Sequence, residues 1–311
     1  MFVFLLPYVC ACLWGHVGVE TDALRRDDYR SNAENDENYR ILADMEWGTW
    51  ELSVEEYLVY KLESVMDDTY EEEALKAQAV LIRTEIIEAQ REQGGGPLIV
   101  SGEGLEKWYE ADGKMLKELL PYEEAAEETN GLYLCYQGEP IQASYFKISN
   151  GQTRDAGEVW QTKKFPYLTS VSCVQDKAAQ DYHSEAAVSK VHFLTEIQTL
   201  IGEEYPVQEL WEGIQFTYDD AGYVTNVLFS VEGEEVGQME GEAFRHLFGL
   251  ASASFEAEQT DTQIIFHVTG VGHGFGMSQY GANVLASEGA EFDEILAVYY
   301  PGTELTKLTV D

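Results

Sequence analysis

Two stretches of this 311-residue chain bring together residue types whose spacing could do chemistry. The first is Glu71-Glu72-Glu73-Ala74-Leu75-Lys76-Ala77-Gln78-Ala79-Val80-Leu81-Ile82-Arg83-Thr84. At about 100° per residue, Glu73, Lys76, Val80 and Arg83 share one side of a helix, and Leu75, Ala79, Ile82, Ile86 and Ala89 share the other. A carboxylate and two cations on one face fit two readings. One is a solvated face with an i,i+3 ion pair, worth roughly a few tenths of a kcal/mol. The other is a wall that holds a ligand's polar groups. The second stretch is Gly270-Val271-Gly272-His273-Gly274-Phe275-Gly276, followed by Ser278 and Gln279. Alternating glycines let a backbone come close to a ligand. An imidazole among them can act as acid, base or donor near neutral pH. Ser278 reads as a helix cap, and Gln279 faces the same helix start. Between these stretches, Lys147 precedes a polar loop, Ser149-Asn150-Gly151-Gln152-Thr153, which Thr153 closes.

The elements that must position these residues are legible in outline. Ser53-Val54-Glu55-Glu56 fits a capping box that opens a helix through Leu62. The Glu71 helix follows and stops at Gly94-Gly95-Gly96-Pro97. Leu105 to Leu120 reads as an amphipathic helix. Leu132 to Tyr136, a turn at Gly138-Glu139 and Ile141 to Ile148 form a hairpin signal. Tyr167 to Val174 reads as a strand and His192 to Ile201 as a helix. Strands are expected at Ile214 to Tyr218 and Val224 to Val231, with a short helix at Glu242 to Phe248. Gln263 to Val268 reads as a strand, Ser278 to Ala286 as a helix ended by Gly289, and Phe292 to Tyr300 as a last helix with Tyr299 and Tyr300 in the core. The expected class is α+β, with helices and antiparallel strands segregated rather than alternating.

Charge excludes some partners. Nineteen basic residues stand against fifty-seven acidic ones, a net charge of −38. Such a surface repels nucleic acid and anionic membrane. Lys147, Arg154, Lys163 and Lys164 lie close together in sequence and form the one candidate basic patch. The run from Phe2 to Val19 is almost wholly apolar and reads as a membrane anchor, a secretion signal or a buried first strand. The polar residues 21–40 read as a linker. Cys135 and Cys173 fit either a disulfide or two buried thiols, and no Cys/His cluster has zinc spacing.

Three separated motifs together resemble a known family. They are Glu73-Ala-Leu-Lys-Ala-Gln-Ala-Val-Leu-Ile-Arg83-Thr84, then Ser149-Asn-Gly151-Gln-Thr153 with Pro166-Tyr167-Leu168, then Gly272-His273-Gly274-Phe-Gly276-Met277-Ser278-Gln279-Tyr280-Gly281-Ala282 with Tyr299-Tyr300-Pro301-Gly302. In that order they look like the stage II sporulation protein D family, which includes the amidase enhancers of bacterial cell walls. The resemblance implies one domain over residues 41–311, with 176–256 as a second lobe or insertion, around an extended groove for a polymer. It implies cleavage of peptidoglycan glycan strands by a lytic transglycosylase mechanism, outside the cytoplasm, in wall remodelling during sporulation. One carboxyl group protonates the leaving oxygen and then takes the proton of the MurNAc 6-hydroxyl as it closes on C1.

The chain departs from the family at the residue that matters most for this chemistry. The family's glutamate lies eight residues before the position of Glu73, in a Glu-Met-Pro element. This chain has Val65-Met66-Asp67 there, and valine transfers no proton. Glu73 and Glu63 are the remaining acids expected to substitute. Lys76, Arg83, Lys147, Ser149, Thr153, His273, Ser278 and Gln279 are expected to contact the glycan. Some family members hold zinc near the middle motif, but Phe146-Lys147-Ile148-Ser149 offers neither Cys nor His, so no metal or other cofactor is expected. The alternative is a degenerate member that binds strands or recruits a wall amidase or another sporulation protein.

Overall fold

The computed structural model describes residues 39–46, 48–105, 119–202 and 205–308. The expected N-terminal anchor, the linker up to Asn38 and nearly all of the Leu105–Leu120 helix lie outside the described residues. No described helix is long and apolar enough to cross a membrane. The fold is α+β, with sheets that are mainly antiparallel.

In chain order the elements begin with β1 (Arg40–Met45), β2 (Gly48–Ser53), α1 (Val54–Val65), α2 (Glu72–Glu92), β3 (Leu98–Ser101), α3 (Leu120–Glu128), β4 (Leu132–Tyr136) and β5 (Glu139–Pro140). There follow β6 (Tyr145–Phe146), α4 (Ala156–Val159), a 3-10 turn (Val174–Ala178), β7 (His183–Ser189), α5 (Lys190–Ile201), α6 (Val207–Glu212), β8 (Gln215–Tyr218), β9 (Val224–Val231) and β10 (Glu234–Glu240). The last are α7 (Gly241–Leu247), β11 (Phe255–Gln259), β12 (Gln263–Thr269), β13 (Met277–Ser278), α8 (Gln279–Ser287), α9 (Phe292–Tyr299) and β14 (Glu304–Lys307). They form two compact units: the described residues up to Ala143 with those from Thr303 on, and Ser144–Gly302.

In the first unit, β1 pairs with β2 and β3, while β4 pairs with β5 and with β14. Ser53 caps α1 as its sequence requires: its Oγ accepts from Glu56 N and the Glu56 carboxylate accepts from Ser53 N. The centre of the unit is α2, packed against α1, α3 and β4. The two-faced reading of this helix needs correction. Every residue from Ala74 to Thr84 is buried, including Lys76, Gln78 and Arg83. Thr84 binds in both directions: its Oγ1 donates to Val80 O and accepts from Leu134 N at 3.0 Å, which ties β4 to the helix.

Arg83 is fully buried, and all five of its N–H groups are satisfied. Nε and Nη2 reach the two oxygens of Glu55 at 2.8 and 2.6 Å. The others go to Thr129 Oγ1 and to the carbonyls of Leu132 and Ala126. Tyr39 Oη also donates to Glu55. A guanidinium can be enclosed only on such terms, because desolvation costs several kcal/mol unless each donor is met.

The hairpin signal after Gly131 holds for only two residue pairs. Gln137 and Gly138 both take positive φ, which suits a two-residue loop. Ile141 N still donates to Leu134 O at 3.1 Å, but Leu134 N is taken by Thr84 Oγ1, so the ladder goes no further. In the second unit the expected strand at Tyr167–Val174 is also absent. Its partner is the tightly turned Ser149–Thr153 loop, so only an isolated bridge, Gln152 to Ser172, can form. The other expected helices and strands of this unit are present within a residue or two. Its core gathers Phe193, Ile197, Phe229, Phe244, Phe248, Phe255 and Phe266 between β7, α5, β9, α7 and the β11–β12 pair.

The Glu55–Arg83 pair makes a stability prediction. Replacing Arg83 by Met leaves the Glu55 carboxylate enclosed without its counter-charge, and about 3–5 kcal/mol should be lost. The double substitution E55M/R83M should recover a substantial part of that loss. Urea unfolding of the three proteins measures the coupling, and a loss below about 1 kcal/mol in R83M would overturn it.

Candidate functional site

The first unit holds Glu63, Glu73, Lys76 and Arg83, and the second holds Lys147, Ser149, Thr153, His273, Ser278 and Gln279.

Val65 is the last residue of α1, and Met66 behind it is extended and buried. Tyr122 Oη from α3 donates to Met66 O at 2.9 Å and fixes the turn. Glu63, Asp67 and Asp68 around this turn are exposed. Asp67 accepts from Thr69 N at 3.0 Å, and hydrogen bonds from Thr69 hold its carboxyl below the usual range. Eight residues on, Glu73 lies in the first turn of α2 with Oε1 2.8 Å from Lys76 Nζ. Lys76 is also 2.6 Å from Glu72 and 2.5 Å from Glu128. Burial opposes its charge, but the hydrogen bonds it donates to Glu128, Glu72 and Glu73 outweigh it and keep the ammonium charged. Lys76 therefore ties α2 to the end of α3. Arg83, enclosed and saturated, is an internal brace and has no N–H left for a sugar.

In the second unit the glycine loop meets its own protein. Its N–H groups at Gly270, Val271, Gly272 and Phe275 donate to Tyr182 O, Ile148 O, Ala251 O and His273 Nδ1. These four amides are met inside the protein rather than by a ligand. The glycines answer a packing need: a Cβ on Gly276 would lie 1.9 Å from Ser144 O, and one on Gly274 would lie 2.7 Å from the Tyr223 ring, both at positive φ. His273 is half-buried between Phe146 and Phe275. Because Nδ1 accepts from Phe275 N, the proton belongs on Nε2. Burial pushes the imidazole down to about 4, against the pull of Glu242 and with a further push from Arg245. At neutral pH it is a neutral latch for the loop, not a group poised to exchange a proton.

The middle motif folds the same way. Ser149 and Thr153 are fully buried. Thr153 Oγ1 donates to Thr169 O and accepts from Val171 N. Asp176 Oδ2 accepts from Ser149 N at 2.7 Å and from Ser278 Oγ at 2.6 Å, while Ser278 Oγ accepts from Gly281 N at the start of α8. Burial raises the Asp176 carboxyl against these hydrogen bonds, and its Oδ1 has no donor among the described residues. Cys173, beside it, is pushed up to about 12 by burial and by Asp176. Both Cys135 and Cys173 are buried free thiols. Gln279 is buried and Lys147 is exposed.

Arg154 does not belong to a surface patch. It is 2% exposed, its Nε lies 2.6 Å from Asp219 Oδ2, and Nη1 reaches Glu242 Oε1 and His273 O. Its guanidinium sits over the rings of Tyr223 and Phe275. Sequence reasoning missed Asp176, Asp219 and Tyr223, which hold the motif loops. Single polar residues in otherwise ordinary segments carry no periodic signal. It also passed over Trp160, although an aromatic close to Lys163 and Lys164 was visible.

The family model described as "Stage II sporulation protein" matches residues 47–136, which run from β2 to the end of β4. Stage II sporulation protein D of Bacillus subtilis (strain 168) is 31% identical over 276 residues, covering 82% of this chain and 75% of that protein. The chain belongs to the stage II sporulation protein D family. The Bacillus amyloliquefaciens protein of the same name is also 31% identical, over 270 residues and with the same coverage. The amidase enhancer of Bacillus subtilis is 25% identical over 226 residues, which is 58% of this chain and 32% of that protein. Within this family the motifs quoted above now have a structural reading: their conspicuous polar residues are mostly buried and fasten loops to one another.

The depressed His273 value predicts a pH dependence. Its folded pKa, about 4, lies below the 6.5 of a free imidazole, so its contribution is present above about 6.5 and is lost as pH falls through 4. Asp176, raised in the fold, acts in the opposite sense and loses its contribution as pH rises through its folded value. His273→Gln should therefore lose less stability than the parent between about pH 7 and about pH 4.5. Urea midpoints at the two pH values measure this. Equal losses would show that His273 does not titrate with folding.

Proposed function

We propose that this chain is a glycan-strand-binding member of its family that works in cell-wall remodelling outside the cytoplasm and does not itself cleave the strand. The observation that carries this reading is Val65 at the end of α1, where the family resemblance calls for the glutamate that donates the proton. The acids around it do not replace it. Asp67 is held ionised by Thr69, and Glu73 is engaged by Lys76 in a cage that also holds Glu72 and Glu128. Glu63 is open to water. A proton-donating carboxyl of a glycosidase is ordinarily kept protonated by an apolar enclosure. His273, neutral and hydrogen-bonded through Nδ1, does not supply the proton either.

What remains is well suited to holding a polymer. The motif loops of the second unit are fixed by buried hydrogen bonds and need no ordering when a ligand binds, which lowers the cost of association. Exposed lysines at 147, 163 and 164 offer cations in a chain of net charge −38, and a carboxylate-bearing glycan would seek them. Similarity to the amidase enhancer supports a partner among wall hydrolases, to which a bound strand would be presented. The N-terminal apolar run would serve as the anchor or secretion signal. Strand cleavage with Glu73 or Glu63 as the acid is the rival reading, and no observation favours it.

Incubation with peptide-free glycan strands tests both readings. Pull-down should retain strands, and mass spectrometry should find no new 1,6-anhydro-MurNAc ends even at high protein concentration. Appearance of such ends would establish cleavage, and failure to retain strands would remove the binding reading. Val65→Glu places a carboxyl at a helix C-terminus, where the dipole favours the protonated form. This substitution is expected to bring anhydro ends into the same assay.

A further inference from the structure

Beside the glycine loop the second unit presents a flat aromatic surface that no motif accounts for. Trp160 is 40% exposed. Its indole stacks on Phe275 with centroids 4.5 Å apart and planes 30° apart, and it meets the edge of Phe165 at 5.4 Å. Phe275 is buried and lies 4.6 Å from the Arg154 guanidinium, which is itself anchored by Asp219. The ring is thus backed by a packed assembly rather than swinging free on a loop.

The backbone around it is equally constrained. Asp155 caps α4 through Glu158 N, Ala156 N donates to Leu168 O, and Trp160 N donates to Ala156 O at 3.0 Å. Gln161 then takes φ +50, a conformation a non-glycine residue holds only when its surroundings impose it. That reversal leads directly to Lys163 and Lys164, both exposed. Lys164 Nζ lies 4.9 Å from the centre of the Phe165 ring, which touches Trp160. Neither lysine enters an ion pair among the described residues.

We infer that Trp160, with Lys163 and Lys164, forms a subsite for one acidic sugar of a glycan, the pyranose ring lying on the indole and its carboxylate meeting the lysines. The inference rests on the strand-binding reading and names the place where a strand is gripped. An amphipathic, pre-positioned aromatic ring suits the C–H face of a sugar. Two unpaired cations in a strongly acidic protein select a negatively charged ligand. One partly exposed ring is far smaller than the roughly 800 Å² per partner that a protein–protein interface needs.

The test is calorimetric titration of the full chain with soluble peptide-free glycan strands. Trp160→Ala should weaken binding at least about fivefold. The double variant K163E/K164E, changed only at exposed side chains, should weaken it by a similar factor at low salt and less at high salt. Strands whose carboxyl groups have been reduced to alcohols should bind the parent protein as weakly as untreated strands bind K163E/K164E. Parent-like binding by both variants, with the parent protein still binding strands, would overturn this subsite and leave the strand-binding reading standing. No binding by the parent protein would overturn the strand-binding reading itself. Should W160A fail to fold, the lysine variant and the reduced strands still decide.

Discussion

A guanidinium removed from water must have its charge and its N–H groups met by the protein, or the fold is penalised by several kcal/mol. Each compact unit has such a group at its centre. In the first, Arg83 is met by Glu55, Thr129 and two carbonyls, drawn from α1, α3 and the segment leading into β4. In the second, Arg154 is met by Asp219, Glu242 and a carbonyl of the glycine loop, with two aromatic rings against its plane. Segments far apart in sequence must arrive together for either arginine to be tolerated. The pairs thus contribute specificity of arrangement as much as net stability.

The same logic explains why residues that look chemical are mostly structural here. Lys76, Arg83, Ser149, Thr153, Ser278 and Gln279 have the types that touch sugars, yet all are buried, most of them with internal partners. Asp176 shows the consequence: one carboxylate oxygen joins the Ser149 loop to the cap of α8. Lys147, Trp160, Lys163 and Lys164, by contrast, are exposed.

The chain's own letters determined a good deal. The capping box at Ser53, the glycine stop after Glu92, the cap at Ser278 and the alternation of Val224–Val231 act through bonds within a few residues, so local sequence suffices to read them. Three motifs in order were enough to indicate the family, and Val65 was visible as a departure from the motif that the resemblance implies without any structure. The α+β class followed from the grouping of helices and strands.

Tertiary structure decided what lies around each element. Periodicity predicted an exposed polar side on α2, but α1, α3 and β4 close over it, and only long-range packing can bury Lys76 and Arg83. The Tyr167–Val174 segment has strand-like composition, but its neighbour is a turn, and a ladder needs an extended partner. The glycines at 274 and 276 are needed because Tyr223 and Ser144 press against them, a fact that no spacing within the loop encodes. Whether a polar residue faces solvent or braces the interior depends on which distant groups come to meet it. Sequence supplies the groups, and the three-dimensional arrangement sets their dielectric surroundings and their partners.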